Sequence, residues 1–134
     1  MTRVLVVDDS ATARRLLVHI LSEEGGFHVV GEASDGAQAV RMVEELRPDV
    51  VTMDIRMPVM DGYAATEAIM GRVPTPIVMV SAHEPDDVDM SFRALEAGAV
   101  TVLAKPLGPR DPNHGAIARE LVATVRTMAG LKLV

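Results

Sequence analysis

RVLVVDDS, residues 3–10, is the stretch from which the rest of the chain can be read. Val4, Leu5, Val6 and Val7 run without polar interruption, and two aspartates and a serine come at once after them. An unbroken apolar run this short is the pattern of a strand covered on both faces, the usual condition of strands in a parallel sheet. The polar residues then stand where the strand stops. Four more runs repeat the arrangement: Phe27–Gly31, Asp49–Met53, Pro76–Val80 and Val100–Ala104 lead into Ser34-Asp35, Asp54, Ser81 and Lys105.

Between these runs the apolar residues change period. Ala13, Leu16, Leu17, Ile20 and Leu21 share one helical face opposite Arg14, Arg15 and Glu23, and Gly25-Gly26 stops the pattern. Helical spacing returns at Ala39, Val40, Val43 and Leu46, at Val88, Phe92 and Leu95, and at Ile117, Leu121, Val125 and Met128. Asp61-Gly62 opens a helix beside Asp54, and the prolines between Pro106 and His114 mark a loop before the last helix. Strands joined by helical crossovers run parallel, so their carboxyl ends line one edge of the sheet, where open sheets of this kind bind ligands. The expected fold is α/β: a flavodoxin-like (βα)5 doubly wound parallel sheet in the order 2-1-3-4-5, forming a single domain over residues 1–134.

A chain of 134 residues is large enough for one core, and with no cysteine it has no disulfides. The N-terminus reaches Asp8 too soon for a signal peptide, and no later run approaches the length that spans a membrane, so a cytoplasmic location is expected. The formal net charge of −6 argues against nucleic acid as a partner. With only Phe27, Phe92 and Tyr63 as aromatics, no stacking platform for bases can be built. His19, His28, His83 and His114 lack metal-ligand spacing, and no phosphate-binding glycine loop or serine-hydrolase elbow is present.

The chemistry lies at the strand ends. Asp8 and Asp9 come after the first strand and Asp54 after the third, its neighbour in the expected order, so three carboxylates crowd together. Like charges that close oppose one another's ionisation, and a hard divalent cation such as Mg²⁺ relieves them. Lys105 offers a point positive charge to phosphate oxygens, and Ser81 offers a hydroxyl donor. A metal on one side and an ammonium on the other stabilise a transferring phosphoryl group, which makes Asp54 the nucleophile and an aspartyl phosphate the product. Each residue also has a plainer role. Asp8-Asp9-Ser10 would cap the first helix, Ser81 would cap one that starts at Pro85, and Lys105 would be a solvated surface lysine. Glu84, Asp86, Asp87 and Asp89 suit the first turn of a helix better than a cation site.

Taken together, VVDDS, MDIRMPVMDG around Asp54, VMVSA and AGAVTVLAKP resemble the receiver domain of two-component response regulators. Residues 53–82 and 92–106 are most similar to the N-terminal receiver of chemotaxis methylesterases. The resemblance implies that Asp54 is the phosphoacceptor, that Asp9 and Asp54 bind Mg²⁺ directly, and that Asp8 binds it through water. The carbonyl of Arg56 would be a further ligand, while Ser81 and Lys105 contact the phosphoryl oxygens. It implies a sensor histidine kinase or phosphotransfer protein as donor, acetyl phosphate as a small-molecule substitute, and a downstream protein at the surface of the fourth helix, fifth strand and fifth helix.

In that family an aromatic three residues before the lysine couples to the serine. Val102 stands there, so the Ala82–Asp89 loop is expected to carry the conformational change instead. Arg56 and His83, near the path of an attacking water, are not carboxylate bases, and slow loss of the phosphate is expected. A catalytic domain after Val134 is suggested by the methylesterase likeness. None of these residues carries esterase chemistry, so the chain alone is expected to be no enzyme beyond its own phosphorylation and dephosphorylation. Two rival functions compete with this reading. A phosphatase of the haloacid dehalogenase type needs a carboxylic acid two residues after its nucleophile, where Arg56 stands. A docking module that signals without phosphate would not need the full set of Asp8, Asp9, Asp54, Ser81 and Lys105.

Overall fold

The computed structural model describes residues 1–82, 88–131 and 133. Its strands are β1 (Arg3–Val7), β2 (His28–Ala33), β3 (Val50–Asp54), β4 (Ile77–Ser81) and β5 (Thr101–Ala104). They alternate with α1 (Ala11–His19), α2 (Gly36–Leu46), α3 (Gly62–Arg72), α4 (Val88–Ala97) and α5 (His114–Met128). All strand pairs are parallel, in the order β2-β1-β3-β4-β5, as expected. Three boundaries move toward the C-terminus. β2 runs on to Ala33, and Asp54 and Ser81 close β3 and β4 as their last residues, where the sequence placed them just outside. Asp54 is therefore held in register with Val80, and Ser81 with Ala104, by the ladder itself.

Alternate strand residues feed two cores. Val51, Met53, Ile77 and Met79 pack with Ala39, Val43, Ala65, Ile69 and Ala94, which places α2, α3 and α4 on one face. Val4, Val6, Val50, Val78 and Val80 pack with Leu17, Ile20, Leu21, Leu121 and Val125, which places α1 and α5 on the other. Covering both faces is what makes these strands apolar throughout. The side chains of Ser10, Asp35 and Asp61 accept from Ala13, Gln38 and Ala64 N–H groups, capping α1, α2 and α3, each worth about 1 kcal/mol.

Two local expectations need correction. The spacing of Val88, Phe92 and Leu95 predicts the packed face of α4, but they are 81%, 61% and 61% exposed. The helix docks through Met90, Ala94 and Ala97 instead, because alanines let its backbone approach the sheet and leave the larger apolar side chains outside. The first helical segment also does not run regularly to its glycines. After α1 the chain makes a π-helical turn over Ile20–Glu24 that ends at Gly25, where a Cβ would lie 2.6 Å from the Phe27 ring. Among the described residues, no helix is long and apolar enough to cross a membrane.

Candidate functional site

Asp8, one residue past β1, is completely buried and tied at four points. Its N–H donates to Ala33 O at 3.0 Å, its Oδ1 accepts from Ser10 N–H at 2.9 Å, its carbonyl accepts from Arg14 Nη1 at 2.8 Å, and its Oδ2 lies 2.8 Å from Lys105 Nζ. Capping of α1 falls to Ser10, which leaves the acidic pair for other work. Asp9, by contrast, is exposed.

Asp54 is buried, with Oδ1 accepting from Ile55 N–H at 2.9 Å and Oδ2 facing Lys105 Nζ at 3.5 Å. Burial, helped by the charge of Asp8 and a hydrogen bond with Asp9, pushes its carboxyl from 3.8 up to about 7 against the opposing pull of Lys105. For Lys105, burial works against the charged form, but the hydrogen bond to Asp8 and the charges of Asp54 and Asp8 outweigh it and raise its pKa. The backbone delivers the lysine: Lys105 N–H donates to Ser81 O at 2.9 Å, continuing the β4–β5 ladder past the end of β5.

The loop after Asp54 is folded back onto it. Gly62 N–H donates to Ile55 O at 2.6 Å, and a Cβ on Gly62 would collide with the Asp54 carbonyl oxygen. Asp61 caps α3, the scaffolding role expected of it. At the loop's tip Val59, 83% exposed, has φ of +69°, a strained conformation for a β-branched residue.

Asp9, Asp54, Ile55, Arg56, Ser81, Ala82 and Lys105 line a cavity of about 160 Å³ above these groups. Of the site residues expected from the sequence, Asp9, Asp54, Arg56, Ser81 and Lys105 line this cavity, Ser81 buried and Arg56 exposed, while Asp8 stays outside the lining and reaches the group through Lys105. A second hollow of about 250 Å³ shares Ile55 and Arg56 and is lined by Tyr63 and Arg93, whose guanidinium lies 4.2 Å from the Tyr63 ring centroid. Val102 is partly buried against the core below α4. His83, Glu84, Pro85, Asp86 and Asp87, and with them most of the Ala82–Asp89 loop, lie outside the described residues. Sequence reasoning missed Arg14 and the Tyr63–Arg93 stack. The aspartate at the first strand's end and an arginine six residues on, one turn past the Ser10 cap, were visible signals for the former.

Ligand oxygens of Asp8, Asp9 and Asp54 all lie within 4.8 Å of one another. An all-carboxylate set with one exposed member suits a hard, oxygen-seeking divalent cation that keeps part of its water shell. Burial first, and the charge of Asp8 second, raise the Asp54 pKa, and a cation held there would oppose both.

A family model described as the response regulator receiver domain matches residues 4–113. The chain belongs to that family. It is 52% identical, over 98% of its length, to protein-glutamate methylesterase/protein-glutamine glutaminase 4 of Myxococcus xanthus, of which it covers 37%. In structure it is similar to the response regulator domain of Thermotoga maritima CheB, with a TM-score of 0.85, 39% identity and 99% of both chains covered. A chain of the CheX–CheY–BeF3–Mg²⁺ complex of Borrelia burgdorferi gives a TM-score of 0.77 at 30% identity, covering 98% of this chain and 90% of that one. The chain spans less than two fifths of the length of the curated relatives it matches.

Proposed function

We propose that this receiver accepts a phosphoryl group on Asp54 from a phosphohistidine of a sensor kinase or phosphotransfer protein, or from acetyl phosphate. A carboxylate oxygen of Asp54 bonds to phosphorus while the bond to the donor's imidazole nitrogen or acyl oxygen breaks, its electron pair leaving with the donor. Lys105 and Ser81 donate to the phosphoryl oxygens as negative charge gathers there. Asp9 and Asp54 directly, Asp8 through water and the carbonyl of Arg56 would hold Mg²⁺. Once bound, that cation supplies positive charge both to the phosphoryl oxygens and to the crowded carboxylates. The observation that carries the reading is the ammonium of Lys105 within 3.5 Å of Asp54 and 2.8 Å of Asp8, beside an open cavity that also presents Ser81. The Mg²⁺ and BeF3 named in the Borrelia burgdorferi complex support the cofactor by similarity.

The chain's own chemistry is confined to gaining and losing this group, with no turnover of an outside substrate. Arg56, at the rim where a phosphatase would need an acid, supports that limit. A charge-assisted hydrogen bond from Ser81 to the phosphate is worth about 1.5–3 kcal/mol, enough to shift a conformational equilibrium roughly ten- to a hundred-fold. The exposed stripe Val88, Phe92 and Leu95 on α4 supports the α4, β5 and α5 surface as the one a downstream protein reads. In longer relatives that protein would be a catalytic domain of the same chain. The reading entails work in the cytoplasm, where the ATP that charges such donors is held.

Intact-mass measurement after incubation with acetyl phosphate tests this. Wild type is expected to gain one phosphoryl mass with Mg²⁺ and none with a chelator. Equal gain under both conditions, or no gain under either, would count against it.

A further inference from the structure

Arg14 lies on α1 and touches none of the cavity, yet it grips the site from behind. Its Nη1 donates to the Asp8 carbonyl at 2.8 Å and its Nε to Glu32 Oε1 at 3.1 Å, so two donors of one planar guanidinium are engaged at once. Glu32 stands on β2, the edge strand, and β2 is aligned with β1 through pairs that include Val6 with Glu32. The Asp8 side chain is already held by Ser10 and Lys105, whereas Asp9 is exposed. Because the peptide unit is planar, fixing the Asp8 carbonyl fixes the plane that leads to the Asp9 Cα, and with it the direction in which the Asp9 carboxylate starts.

We infer that Arg14, held by Glu32, is a positioning residue that sets the Asp8–Asp9 peptide so that both carboxylates face a divalent cation together. This rests on the reading of Asp8, Asp9 and Asp54 as a cation site. Charge alone argues the opposite way: removing a cationic side chain from beside three carboxylates would strengthen cation binding. The two accounts therefore differ in sign.

The test is Mg²⁺ titration of wild type, Arg14→Gln, Arg14→Lys and Glu32→Gln, monitored by the amide resonances of Asp9 and Ser10. Loss of a residue that orients metal ligands lowers affinity roughly ten- to a hundred-fold. Arg14→Gln is expected to weaken Mg²⁺ about ten-fold, and Arg14→Lys nearly as much, because lysine keeps the charge but not the planar fork. Glu32→Gln, whose amide oxygen still accepts from Nε, is expected to stay within about two-fold of wild type. The urea midpoints of the same proteins show that the variants are folded. Unchanged or tighter binding by Arg14→Gln, beside a wild type that binds, would overturn the inference alone. A wild type that binds no Mg²⁺ would overturn the cation reading and this inference with it.

Discussion

Lys105 Nζ lies 2.8 Å from Asp8 Oδ2, although β3 and β4 stand between the strands from which the two residues emerge. The lysine spans the mouth of the site and rests on the acid that is fully buried, with Asp54 farther off at 3.5 Å. Removing one partner of a buried ion pair strands the other, at a cost of about 3–5 kcal/mol. Lys105→Met is therefore expected to lower metal-free stability by about 3 kcal/mol, and adding Asp8→Asn to recover much of the loss. Urea unfolding with a chelator present measures both. A loss under about 1 kcal/mol would mean that the pair contributes little in solution.

Asp54 ties stability to pH. In the folded protein its carboxyl titrates at about 7, against 3.8 ordinarily, so between those values the native state holds a proton that the unfolded chain has released. The stability this contributes is complete below about pH 4 and is lost as pH rises through about 7. Without divalent cation, wild type is expected to weaken by a few kcal/mol over that range, and Asp54→Asn to lack this component. Parallel pH profiles for the two proteins would contradict the assignment.

Gly62 makes the turn after Asp54 possible. A Cβ there meets the Asp54 carbonyl oxygen and sits 2.9 Å from the Ile55 Cα, both backbone atoms with little room to yield. Gly62→Ala is expected to cost about 2 kcal/mol and to slow phosphorylation by acetyl phosphate by shifting Asp54. Wild-type stability together with a wild-type rate would show that the loop has slack.

Much of the fold and site is legible in the sequence because the relevant signals are local. Val4 to Val7 has the length and β-branched composition of a covered strand, which puts Asp8 and Asp9 directly after it at the sheet edge that Asp54, Ser81 and Lys105 also reach. The features that escaped depend on packing or register. The stripe Val88, Phe92, Leu95 has the spacing of a core face, but Ala94 and Ala97 let α4 dock by its small residues. The π-helical turn at Ile20–Glu24 continues an unbroken apolar pattern and leaves no mark of its own in it. Arg14 meets Glu32 only through the pairing of β1 with β2, and the preference of Lys105 for Asp8 over Asp54 is a matter of ångströms.

On the proposed reading, Arg56 and His83 would set how long the phosphoryl group lasts, and of the two Arg56 lines the cavity beside Asp54 and has no carboxylate to activate water. Arg56→Ala is expected to hasten loss of the phosphoryl group by about three- to ten-fold, as the guanidinium no longer shields or pairs with it. Decay of the phosphoprotein, monitored by intact mass after the donor is removed, measures this. An unchanged rate would remove Arg56 from the account.

In the proposed reaction one oxygen of Asp54 becomes bonded to phosphorus. Borohydride reduces an aspartyl phosphate to homoserine, so peptide mass spectrometry after treatment with acetyl phosphate, Mg²⁺ and borohydride reads the modified position directly. Homoserine at position 54 in wild type, and none anywhere in Asp54→Asn, is the predicted result. Homoserine at position 8 or 9, or a phosphorylated protein without any, would contradict it.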